Sequence, residues 1–340
     1  MTERITFIDF GRVVSIFCVI ILHVCLGSYY LFSLKYDLNW SVTLFYYTLS
    51  RVSVPVFVMI SGVTTIWLKK QCNQVVTISS ALYRISKLII PIFFWSVVYL
   101  LLLDQYTPIA LFKILWSPQG LVHLWFLYML IGLYLLSPFI SLIFNSKYKE
   151  YIRYSLLLWF IFACVNVYTE AFFGVKLGEW FGLLPNYQSG FVGYYILGAY
   201  MMTFRPISLS KSIIVTIAGA ALSYFLVVWD NHNAPVFNDR LLNFLAPNIV
   251  MMSFGLFSLL RCFDFSWFSK YHFSFISPLV VGIYLTHEMI LKFFREALGL
   301  VGYGYNAFYF VPLLAIATFI VALLFSFLLS QVQQKLKLFF

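Results

Sequence analysis

Residues 313–329 read LLAIATFIVALLFSFLL, seventeen positions from Leu313 to Leu329 without a charged side chain. Thr318 and Ser326 are the only polar residues in the run, so a helix wound from it has no face suited to water. A strand of a membrane barrel would alternate apolar and polar positions over about ten residues. This run does not alternate, and a β-barrel is excluded. Extended to 307–331, it is long enough at ~1.5 Å per residue to cross a hydrocarbon core of about 30 Å. The rest of the chain repeats the pattern: of 340 residues, 62% are hydrophobic and only 10% charged, against roughly 25% charged in soluble proteins. At ~20 residues per span, such a composition supplies about ten spans. The fold class is therefore an all-α polytopic integral membrane protein, a bundle of about ten transmembrane helices. Five cysteines show no paired spacing and no zinc motif, which argues against a disulfide scaffold.

The pattern predicts helices near 8–32, 42–66, 86–103, 120–144, 151–173, 188–204, 212–229, 241–262, 272–297 and 307–331. Polar or glycine-rich breaks separate several of them: 35–37, 145–147, 230–233 and 302–304. Residues 104–119, with Pro108 and Pro118, read as an interfacial loop. Sorted by alternate sides, fifteen Lys and Arg fall with the N-terminus, six fall opposite, and Arg51 lies inside a span. The positive-inside rule then puts both termini in the cytoplasm. The net charge of +10 needs no nucleic acid to explain it, although anionic lipids or a phosphorylated cytosolic ligand would suit the same surface. The first apolar run is too long for a cleaved signal peptide and is followed by further spans. With no internal repeat or long linker, residues 1–340 read as one membrane domain.

Ionisable residues inside spans cost about 2.5–3.5 kcal/mol on insertion scales and usually face a cavity or a partner. Here they are Asp9 and Arg12 at the inner end of the first span, His23 within it, Arg51 in the second, and His287 with Glu288 in the ninth; His123 opens the fourth. At ~1.5 Å per residue, His23 and His287 each lie about 22 Å from the cytoplasmic start of their spans. Arg51 descends about 13 Å from the outer start of its own, and His23 lies about 13 Å below the outer end of the first. Two histidines, an arginine and a glutamate can thus surround one cavity. His23 follows Arg12 by eleven residues, within about 20° of the same helix face and roughly 16 Å away, which suggests a groove with Arg12 at its mouth and His23 at its end.

At these residues the chain resembles a known family. Asp9-Phe10-Gly11-Arg12 followed by His23, and the segment from Arg51 through Pro55 to Gly62, are similar to the opening of the acyltransferase family 3 integral membrane O-acyltransferases. His123 to Tyr128, Ile131 to Tyr134, and Gly282 to Glu288 agree, in order. The length is closest to the short WecH-like members, which are similar to sugar O-acetyltransferases. The resemblance implies a ten-helix bundle that takes acetyl-CoA from the cytosol and acylates a hydroxyl of a lipid-linked or surface glycan in a bacterial cytoplasmic (inner) membrane. It implies His23 as the catalytic histidine, Arg12 and Arg51 as functional arginines, and His287 and Glu288 as site elements. Phosphates of the donor would meet Arg12, beside Asp9, and the basic loops carrying Lys69, Lys70, Arg84, Lys87, Lys147, Lys149 and Arg153. No metal is called for. A neutral imidazole suits removal of a hydroxyl proton or transient acetylation, and a desolvated Arg51 suits a developing oxyanion.

Each residue also has a plainer reading. His23 can hydrogen-bond a neighbouring helix, Arg51 can snorkel, and Glu288 can pair with Lys292 or Arg295 on its own face. Asp9 and Arg12 can form a simple i,i+3 pair. His123 can belong to an aromatic belt, and His232 and His272 read as solvated. Tyr29, Tyr30, Trp40, Trp116, Trp125, Trp180 and Tyr187 suit an interface first and sugar stacking second. The competing functional class is a glycan or lipid-linked sugar transporter, since intramembrane charges also mark substrate pathways; a scaffold subunit of a glycan synthase is a third.

Overall fold

The computed structural model describes residues 6–32, 37–102, 107, 109, 124–145, 150–177, 189–232, 234, 236–263, 270–302 and 304–336. Most of the stretch 104–119, together with Arg4, Lys35, His123, Lys147, Lys149, Trp116, Trp180, Tyr187 and the side chains of Tyr29 and His272, lies outside the described residues. Among the described residues there is helix and no strand, and nine helices are long and apolar enough to cross a membrane. They are α1 (Thr6–Leu26), α2 (Leu38–Gln71), α3 (Ile78–Leu102), α4 (Trp125–Phe144), α5 (Glu150–Phe173), α7 (Leu209–Asn231), α8 (Arg240–Cys262), α9 (Phe273–Glu296) and α10 (Ala307–Val332). The span expected over 188–204 is instead a short helix, α6 (Phe191–Met201). Eleven residues cover only about 16 Å.

Contacts at the helix ends show how α6 fits. Trp159, about a third of the way along α5, donates its indole N–H to Gly190 O at 2.7 Å. Beyond α6, Arg261 at the last turn of α8 donates to Met201 O at 2.6 Å and Phe204 O at 2.8 Å. Arg153, in the first turn of α5, donates to Tyr200 Oη at 2.9 Å. The C-terminal end of α6 thus shares a face with the start of α5 and the end of α8. Glycine lets α6 sit deep in the bundle. A Cβ on Gly198 would lie 2.2 Å from Met59 O, and one on Gly62 would lie 2.0 Å from Tyr195 O, so α2 and α6 touch backbone to backbone.

Helix α2 runs 34 residues, longer than a bilayer requires. It turns at Arg51 and Val52. The cause is local: Pro55 has no N–H to bond the carbonyl four residues earlier, that of Arg51. Near its other end Val63–Trp67 is a π-helical turn, a geometry that leaves backbone carbonyls less tightly used, and Arg84 reaches Thr64 O at 3.5 Å.

Helix α10 runs antiparallel to α1. Phe17 packs edge-on against Phe319 with centroids 5.7 Å apart, while Tyr30, beyond the end of α1, donates to Gly302 O and Tyr305 O just before α10. The described ends of the chain therefore lie at one face of the bundle, as both termini on one side of a membrane require. The first span ends earlier than expected. Gly27 N donates to His23 O and Ser28 Oγ to Cys25 O, closing α1 at Leu26 rather than near residue 32. His23 is therefore within one turn of the end of its helix instead of ~13 Å below it.

Candidate active site

Arg12, Ile16, Val19 and His23 occur at steps of four, three and four residues, which return to one face of α1. Ser277, Val281, Tyr284 and Glu288 on α9 have the same steps, each 265 positions later. The two stripes face one another in register. At one end Arg12 Nη1 donates to Ser277 Oγ at 3.4 Å; at the other His23 Nδ1 lies 3.4 Å from Glu288 Oε2. Between them Ile16, Val19, Val281 and Tyr284 line a small apolar cavity of about 30 Å³, closed by Val54 and Phe57 of α2 and by Phe126, Leu127 and Leu130 of α4. The cavity occupies the middle of the stripe, between Arg12 and His23 but lined by neither, and its wall is shared with α9.

At the outer end the structure brings together three of the four residues expected there. The His23 and His287 rings are 5.1 Å apart in an edge-on arrangement. His287 is wholly buried, its Nδ1 2.6 Å from Tyr284 O, and Tyr284, whose ring is 5.6 Å away, also lines the cavity. Glu288 accepts from Arg295 Nη2 through Oε1 at 2.5 Å while Oε2 faces His23. Of the two partners expected for Glu288, only Arg295 pairs with it: Lys292 donates to Leu102 O at 3.0 Å and lies 3.7 Å from Glu296.

Arg51 belongs to an adjoining cluster. Its Nη2 bonds Tyr47 Oη and Asp239 Oδ2, Tyr47 donates to the same carboxylate oxygen at 2.6 Å, and the guanidinium lies over the rings of Tyr47 and Phe244, 4.4 and 5.0 Å from their centroids. Arg51 is buried and paired, so snorkelling does not describe it. Hydropathy did not point to Tyr47 or Asp239: one is an aromatic in an apolar run, the other a carboxylate in a polar loop. Ser277 and Gly27 were likewise missed. The i, i+4, i+7, i+11 match between 12–23 and 277–288 was the signal that could have found Ser277.

The other basic residues expected near a donor's phosphates spread over the face of Arg12. Arg12 lies 3.8 Å from Asp9, the i,i+3 pair expected there. Arg84 sits 5.8 Å from the Tyr134 ring centroid, and Lys70 the same distance from that of Phe144. Lys69 donates to Gln74 Oε1 at 3.3 Å. Lys87 points elsewhere, exposed and 4.5 Å from the centroid of exposed Tyr83 on the perimeter of the bundle.

Chemically, a histidine set against a carboxylate beside an apolar cavity is the arrangement of a general base. His23, His287 and Glu288 also present three potential metal-ligand atoms within 4.8 Å of one another, a donor set that sequence reasoning did not foresee. The Arg295 guanidinium already places a positive charge on Glu288.

No curated protein and no solved structure gives a match. A family model described as an acyltransferase domain, Acyl_transf_3, matches residues 5–330, a range that contains both stripes, the cavity and the Arg51 cluster. The chain therefore belongs to the Acyl_transf_3 family of acyltransferases, and is a multi-pass membrane member of it.

Proposed function

We propose that this acyltransferase moves an acetyl group from cytosolic acetyl-CoA to a hydroxyl of a lipid-linked or surface glycan, as a single membrane domain in a bacterial cytoplasmic membrane, in the manner of the WecH-like sugar O-acetyltransferases. One observation carries the reading: a small apolar cavity on the stripe between Arg12 and His23, two residues about 16 Å apart along one helix. The donor's phosphates sit at the basic face by Arg12, with Arg84, Lys69, Lys70 and Arg153 around it. Its thioester arm would run along the stripe past Ile16 and Val19, where the small apolar cavity lies.

Glu288 Oε2 lies 3.4 Å from His23 Nδ1, and in the proposed mechanism Nδ1 carries the proton and Nε2 is the basic nitrogen. The acceptor O–H gives its proton to Nε2 as its oxygen bonds the thioester carbon. The C–S bond then breaks, and the sulfur leaves as a thiolate that takes up the proton to become CoA thiol. Glu288 stabilises the imidazolium.

Purified protein in detergent, supplied with acetyl-CoA and a glycan acceptor, should release CoA thiol and form an acetyl ester without any membrane gradient. Absence of both products, with translocation of a lipid-linked sugar in sealed vesicles, would replace this reading with transport.

A further inference from the structure

We propose that Arg295, on the last turns of α9, is a positioning residue for His23: it holds the Glu288 carboxylate against the imidazole, across a space that glycine at position 27 leaves open. The inference rests on the reading of His23 as the base.

Three contacts form one line from α9 to α1. Arg295 Nη2 holds Glu288 Oε1 at 2.5 Å, Glu288 Oε2 faces His23 Nδ1 at 3.4 Å, and Gly27, one turn beyond His23, bonds back to His23 O at 3.0 Å. The same guanidinium lies across Gly27. A Cβ there would stand 2.3 Å from Arg295 Nη1 and 3.2 Å from both Cδ and Cζ. Gly27 has no positive φ, so its backbone suits alanine as well as glycine. What position 27 cannot accept is a side chain in the space the guanidinium fills. A methyl group at this site would displace the flexible end of Arg295 and leave the helix intact.

Lys292 cannot substitute, since it is engaged with Leu102 O and Glu296. The other hydroxyl beside this line, Tyr99 Oη, donates to Leu285 O and accepts from Met289 N. Arginine fits the place better than lysine because one planar group must touch Glu288 with one nitrogen while the other lies against the α1 backbone.

The test compares the parent with Arg295→Gln, Arg295→Lys, Gly27→Ala and the double variant Gly27→Ala/Arg295→Gln, all as full chains in detergent. Misplacing a reacting group by about 1 Å costs on the order of 100-fold. Arg295→Gln should therefore lower kcat about 10- to 100-fold with KM for acetyl-CoA little changed, and Arg295→Lys should recover part of the loss. Gly27→Ala should mimic Arg295→Gln, and the double variant should be no slower than Arg295→Gln alone, because both changes break one contact. Carbethoxylation of His23 by diethylpyrocarbonate, followed by mass spectrometry, reads the same coupling without turnover: its rate should change alike in Arg295→Gln and Gly27→Ala. An Arg295→Gln protein with parental kcat, or losses that multiply in the double variant, would overturn the inference. If the parent transfers no acyl group, the functional reading fails, and an unaltered His23 labelling rate in both single variants then overturns the positioning role separately.

Discussion

Replacing His23 by glutamine separates chemistry from architecture. The glutamine amide occupies about the place of Nδ1, which lies 3.4 Å from Glu288 in the native chain, so the α1–α9 contact and the Arg295 pair survive. What disappears is a nitrogen able to take a proton. General-base catalysis contributes about 100- to 10,000-fold, equivalent to roughly 2.7–5.4 kcal/mol of barrier at ~1.36 kcal/mol per tenfold. Binding of the donor should be spared, because Arg12 lies eleven residues away, about 16 Å along α1. The expected outcome is thus a kcat lowered by at least about 100-fold, with CoA affinity and melting temperature close to those of the parent. Thiol release from acetyl-CoA measures the first, calorimetric titration with CoA the second, and tryptophan fluorescence on heating the third. Acetyl transfer by His23→Gln within a few-fold of the parent would refute the argument and move the search for the base to His287.

Arg12→Ala removes a charged contact worth about 1.5–3 kcal/mol, so CoA should bind roughly 10- to 100-fold more weakly while turnover at saturating donor recovers; unchanged affinity in titration would count against a phosphate at that site. For topology, in a Cys72→Ser background, His232→Cys should react with an impermeant maleimide on intact cells and Lys211→Cys only after permeabilisation; the opposite pattern would invert the orientation. Gly198→Leu forces a side chain into a gap where a Cβ is already 2.2 Å from Met59 O, and should lower stability by at least about 1–3 kcal/mol. Thermal unfolding at the parental temperature would show that α2 and α6 do not meet as described.

Depth counted in residues was enough to bring His23 and His287 to one level, and their rings are 5.1 Å apart, because α1 is unbroken and the one 3₁₀ turn of α9, Ser277–Leu279, changes the height by only about 1.5 Å. Rotation was legible for the same reason in Arg12 and His23. Helix ends were not: α1 closes at Leu26 because Gly27 and Ser28 turn the chain, although the residues after them remain apolar. Nor does hydropathy predict which way a long side chain reaches. Arg51 turns towards Tyr47 and Asp239 at the bend that Pro55 imposes, and Asp239 arrives from a loop nearly 190 positions away. For Glu288 the sequence offered two readings, a cavity residue beside the histidines and one half of an ion pair on its own helix. The pair with Arg295 exists, but its place against Gly27 and His23 depends on how α1 and α9 pack, which no spacing within either helix records.

The stripe from Arg12 to His23 is a ruler made of one covalent segment. No proline and no π turn interrupts α1 between them, so the separation of the two ends cannot be adjusted by a hinge or a loop. A single residue inserted after Val19 would lengthen it by only about 1.5 Å but swing His23 by about 100° away from Glu288. On the proposed reading, the gauge favours a carrier of one length: a small thioester lacking the nucleotide would reach His23 or the basic face but not both.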